Sequence, residues 1–199
     1  MQMRRTSPPL VRRWTALAVL LVLAVLVAGC LDVLADDQET ERIAGAAESA
    51  LPVPLRSSER HWFLRQQPGF VGAQLATYGG DAGEALTTVR VARFRDIATA
   101  RAGFAWMTPD HAYRLWGNRM AAPPRPARYQ FAFTGDEVRT LEYRPPLPPG
   151  DPNQGLVVQL ISLRAGKFVI VIESIGVPRE QLPAVVAALV RAVREGPEQ

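Results

Sequence analysis

Cysteine is nearly missing from this chain: its 199 residues hold one, Cys30. A lone thiol excludes an internal disulfide framework, so stability has to come from a packed core. Lysine is as scarce, with Lys167 alone among the 23 basic residues. Histidine is limited to His61 and His111. Acidic residues are absent before position 30, where Arg4, Arg5, Arg12 and Arg13 are the only charges. Those four account for the formal net charge of +4, since 23 − 4 leaves 19 basic residues against 19 acidic ones. A nucleic-acid surface needs surplus cations to displace counterions, and no surplus remains. Nucleic acid is therefore not an expected partner. The length suits one ordinary domain with a tail, and 48% hydrophobic with 21% charged residues is a globular composition.

Long uncharged runs that are apolar throughout are also lacking, with one exception. Residues 14–31 carry no charge, and Ala16 to Val27 is apolar on all sides. A basic start, an apolar middle and small residues at the end make a secretory signal. The 18 uncharged residues stand at the short limit for a retained membrane span, so length alone leaves an anchor open. Cys30 closes the run. Val27-Ala28-Gly29-Cys30 resembles the lipobox of bacterial lipoproteins: an aliphatic residue, two small ones, then cysteine. Leucine is commoner than valine at the first of those places. The resemblance implies a thioether-linked diacylglycerol on Cys30, cleavage between Gly29 and Cys30, and acylation of the new amino terminus. Several buried acyl chains hold a protein firmly on a bilayer where a single one does not. The implied location is extracytoplasmic, lipid-anchored to the outer face of the cell membrane or to an outer membrane. Arg12-Arg13 raises a twin-arginine export route, but the flanking Leu10-Val11 and Trp14-Thr15-Ala16 match it poorly.

The mature chain alternates helical and strand patterns. Asp36 with Glu39 reads as a capping box, and Ile43, Ala46, Ala47 and Ala50 recur at helical spacing before Pro52 and Pro54. This reads as a spacer helix between lipid and domain or as the domain's first helix; the weakly hydrophobic stripe favours a loosely packed spacer, followed by a polar linker at Ser57-Ser58. Strands are expected at 70–78 and 86–94, then a helix from Asp96 over 97–107 weakened by Gly103. An irregular connection covers 108–128. A hairpin is expected over 129–144 about Gly135-Asp136, and a second pair over 156–163 and 168–174. A last helix begins at Pro178 and carries the stripe Leu182, Val185, Val186, Leu189, Val190 and Val193. The expected architecture is α+β: a mostly antiparallel sheet of about five strands packed by helices. The expected organisation is a signal peptide over 1–29, lipid attachment and spacer over 30–60, and an α+β domain over 61–196.

Chemistry-bearing motifs are few. The two histidines have no metal-ligand spacing, and no cysteine remains for a metal once Cys30 is acylated. No serine sits in a G-x-S-x-G turn, and no glycine-rich loop joins a strand to a helix. No cofactor, metal or catalytic residue is assigned, and a hydrolase lacks support. Pro145/Pro148 and Pro146/Pro149 have P-x-x-P spacing, best read as a stiff loop. The remaining lead is aromatic: Trp106, Tyr113 and Trp116 lie close in sequence, with Arg114 and Arg119 between and after them. Aromatic and arginine residues are enriched at interfaces. Tyr113, Trp116, Arg114 and Arg119 are the expected binding surface, with Trp106 nearer the core. The chain thus reads as a tethered, non-catalytic lipoprotein that contacts the membrane through Cys30 and binds a partner protein or envelope component. The alternative is a carrier or sensor of a small hydrophobic ligand or lipid, held between sheet and helix under the 108–128 loop.

Overall fold

The structure is a computed structural model and describes residues 38–80, 85–110, 120–127, 135–146, 149 and 155–196. Cys30, Gly29, Asp36, Tyr113, Arg114, Trp116 and Arg119 lie outside the described residues. One antiparallel sheet organises the fold. Its strands are β1 (Leu55–Arg60), β2 (Phe70–Gly79), β3 (Leu86–Phe94), β4 (Arg125–Pro126), β5 (Glu137–Tyr143), β6 (Val158–Ala165) and β7 (Phe168–Ile175). They stand in the order β1-β2-β3-β7-β6-β5-β4. The helices are α1 (38–45, ending in a 3-10 turn at Ala46–Ala50), α2 (Ile97–Trp106) and α3 (Leu182–Arg194).

Among the described residues seven strands stand where about five were expected. The two additions are the edge strands, β1 and β4. β1 reads LRSSER and β4 only RP, and neither carries the apolar alternation that announces a half-buried strand. Polar edges also protect a sheet from pairing with another chain. The outgoing arm of the expected 129–144 hairpin falls mostly outside the described residues. Its return arm is β5, paired with β6 through Leu141↔Leu160 and with β4 through Pro126↔Leu141.

Both faces of the sheet are covered, which is why β6 and β7 read as almost unbroken apolar runs. On one face Ala76, Tyr78, Val89, Val91, Ile161, Leu163, Ile170 and Ile172 meet α1 and α3. The stripe of α3 buries as its period predicts, with Val193 only partly covered. Pro178 is not its first residue: it precedes a 3-10 turn, Arg179–Gln181, and the α-helix starts at Leu182. The segment read as a loose spacer or as the domain's first helix belongs to this core. Ile43, Ala44 and Ala47 are fully buried, and the Tyr78 hydroxyl donates to the Ala44 carbonyl at 2.5 Å. Small alanines let α1 approach closely, so a weak stripe still makes a tight contact.

The opposite face carries Ala73, Ala92, Phe94, Leu141, Leu160, Val169 and Val171 under α2, with Phe63, Leu64, Phe104 and Met107. Asp96 caps α2 by accepting from the Thr99 backbone N–H at 2.8 Å, which holds its carboxyl below the ordinary carboxylate value. Gly103 has a packing reason: a Cβ there would lie 2.5 Å from the Phe94 ring. Several polar side chains within the sheet engage one another. Arg90 Nη1 donates to Glu173 Oε2 at 3.0 Å and to Thr88 Oγ1 at 3.1 Å, while the Tyr143 hydroxyl donates to the other Glu173 oxygen. Arg164 is held by Asp136 and Glu137, both at 2.7 Å.

Candidate functional site

After Arg60 the chain leaves the sheet edge, though the His61 N–H still donates to the Ala73 carbonyl at 2.9 Å. Three short turns follow. Arg65 N–H donates to the Trp62 carbonyl at 3.2 Å, Gln67 N–H to Leu64 at 2.8 Å, and Phe70 N–H to Gln67 at 3.3 Å. Leu64 takes a positive φ of 65°, uncommon for a residue other than glycine and a sign that the surroundings dictate the backbone. The dictating contact is packing: Phe63 and Leu64 are buried in the core beneath α2. With those two anchored, Trp62 is turned outward and is 58% exposed.

Residues 61–67 and Trp106, at the end of α2, line a groove of about 420 Å³. Phe63 and Leu64 form its apolar base, and Trp106 packs partly into the same core. His61 Nδ1 accepts the Phe63 N–H at 3.1 Å, so the ring proton of the neutral form resides on Nε2. Burial lowers the His61 pKa below 6.5, with Arg90 adding to the effect and Glu59 opposing it. The ring is thus a neutral donor at pH 7. Trp62, Arg65, Gln66 and Gln67 make no side-chain hydrogen bond within the described residues. A rigid loop therefore presents one exposed indole, a second indole beside it, and several unspent polar groups.

Among the described residues two other openings adjoin the sheet. One of about 420 Å³ lies at the β4–β5 edge beside Ala121, Arg125, Tyr143 and Arg144. Its Glu142 accepts from Arg179 at 2.9 Å. The other, about 630 Å³, lies between Ile97, Ala98, Phe168 and Val193 and is flanked by Glu39, Asp96 and Lys167. Burial, with help from Arg93, lowers the Lys167 pKa. All three are surface grooves. Among the described residues no group of three or more His, Cys, Asp or Glu is placed to hold a metal ion. Among them, too, no helix is long and apolar enough to cross a membrane.

No protein-family model and no curated protein matches the chain. Among solved structures it is similar to the crystal structure of the extracellular domain of PknH from Mycobacterium tuberculosis, with 14% sequence identity and a TM-score of 0.43. The match covers 64% of this chain and 66% of that one, just under two thirds of the neighbour's length. A likeness that weak carries no inference about ligand, partner or activity.

Of the aromatic group expected from sequence, Trp106 is placed, and it lines the 61–67 groove from the core side. The expected surface of Tyr113, Arg114, Trp116 and Arg119 lies outside the described residues. Trp62 carries the exposed position, and neither spacing nor motif singles it out. The available signal is its setting, a tryptophan three residues before the turn-forming, polar stretch Arg65-Gln66-Gln67-Pro68-Gly69.

Proposed function

We propose that the chain is a lipid-tethered, extracytoplasmic, non-catalytic interaction module. The tether is the acylated Cys30, and the contact surface is the groove around Trp62. The observation that carries the contact is the exposure of Trp62 on a loop whose neighbours Phe63 and Leu64 are locked into the core. An anchored aromatic loses little side-chain entropy on binding, and such residues dominate interface energetics. The interior supports the same reading. Many of its charged and hydroxyl groups bond to one another, as in Arg90–Glu173–Tyr143 and in the 2.9 Å contact between Thr87 and Ser174.

The carrier reading draws on the 630 Å³ opening, whose walls include Ile97, Ala98, Phe168 and Val193. That opening is on the surface, and the 108–128 loop expected to cover a ligand held between sheet and helix lies in part outside the described residues. The test of the proposal uses Trp62→Ala and Cys30→Ala in the producing cell. Trp62→Ala should remain membrane-bound but lose its envelope contacts in site-specific crosslinking. Cys30→Ala should stay uncleaved and incorporate no labelled lipid. Normal lipid labelling of Cys30→Ala would end the tether reading, and unchanged crosslinks in Trp62→Ala would end the groove reading.

A further inference from the structure

We propose that the Trp62 groove is a carbohydrate site, so that the envelope component contacted by this module is a polysaccharide. The inference deepens the interaction reading and rests on it only for where the domain works. A pyranose ring has an apolar face of C–H bonds and a rim of hydroxyls that both donate and accept. An indole offers a flat apolar surface for the face. Primary amides match the rim, because each carries donors and an acceptor. The groove supplies both. Trp62 is exposed and Trp106 lies beside it, while Gln66, Gln67 and Arg65 have side chains with no hydrogen bond among the described residues. His61, with Nδ1 occupied by the Phe63 N–H, adds an uncharged Nε2–H donor.

The size agrees: about 420 Å³ falls in the range of small-ligand clefts, roughly 300–1,000 Å³. A protein partner fits less well. A stable protein interface covers about 800 Å² on each side around an apolar centre. Among the described residues the other exposed large apolar ones, Val71, Ile97 and Val138, are single residues on β2, α2 and β5. Polar groups crowd one indole instead, the pattern suited to a ligand that is itself half apolar face and half hydroxyl rim. The core-anchored turns of the 61–70 loop keep the site formed before binding, which lowers the ordering cost.

The test is calorimetric titration of the full chain, extracted from its membranes in a detergent without a sugar headgroup. The probes are tetrasaccharides of β-1,4-linked N-acetylglucosamine, β-1,4-linked glucose and α-1,4-linked glucose, together with protease-treated insoluble wall polysaccharide in a sedimentation assay. Saturable binding of at least one probe is expected. Trp62→Ala should weaken it at least about tenfold and the double change Gln66→Ala/Gln67→Ala several-fold, as expected when an anchor and its rim are removed. Trp62→Phe should retain part of the affinity, which separates loss of stacking from loss of fold. Unchanged unfolding midpoints in all variants keep the comparison fair. No binding of any probe, or binding indifferent to Trp62→Ala, would overturn the proposal. Crosslinks that depend on Trp62 and reach only proteins would overturn it as well, while leaving the interaction module standing.

Discussion

Arg90 and Glu173 face each other across β3 and β7 with side chains only 5% and 12% exposed. Two charges so far from water hold together because each supplies what the other lacks, and Tyr143 and Thr88 take part of the remaining bonding capacity. Removing one partner is then costly, about 3–5 kcal/mol, whereas replacing both by apolar residues of similar volume is close to neutral. Arg90→Met should therefore lower the urea midpoint strongly, and Arg90→Met/Glu173→Leu should recover most of it. Equal losses in the single and double variants would contradict that account. His61 gives a pH signature. Its folded-state pKa lies below the 6.5 of the unfolded chain, so protons prefer the unfolded state. The stability tied to the neutral ring is whole above pH 6.5 and is lost as pH falls through the lower, folded value. His61→Gln should flatten the dependence of unfolding free energy on pH in that window, read by denaturant titration at a series of pH values.

At the scale of elements, packing overrides propensity in two places. Gly103 weakens α2 by about 1 kcal/mol relative to alanine in an isolated helix. In the fold a Cβ at 103 would press on the Phe94 ring at 2.5 Å, and overpacking costs about 1–3 kcal/mol. Gly103→Ala should thus fail to stabilise the protein and should lower its thermal midpoint. α1 is the second place. Ile43→Ala should cost about 2–5 kcal/mol, the range for emptying a core site. A spacer helix would not register the change. These two elements also mark what was legible in the sequence. α3 and β3 announced themselves because a strong apolar period coincides with their buried faces, and β7 because it is apolar on both faces. α1 reads ambiguously, as a spacer or as the domain's first helix, because alanines that permit close approach look, in sequence, like a helix with little to bury. β1 and β4 were invisible because edge strands need only one paired side and can be polar throughout. The same logic hid the site. Trp62 is conspicuous only once Phe63 and Leu64 are known to point inward, and that follows from tertiary packing rather than from spacing.

For the whole molecule, the charge distribution separates attachment from recognition. After position 30 the chain has 19 basic and 19 acidic residues, so no net electrostatic pull toward an anionic membrane remains. Surface attraction of that kind would be screened by salt, whereas buried acyl chains are not. Membrane fractions should therefore retain the protein through molar salt and release it to detergent. Release by salt alone would point to peripheral binding. The most direct measurement is the intact mass of the protein extracted from its own membranes, with sequencing of its first residues. The account predicts a chain beginning at Cys30 and heavier than the peptide by a diacylglycerol, with or without a further acyl group. A chain beginning at Met1, or cut elsewhere with Cys30 unmodified, would contradict it.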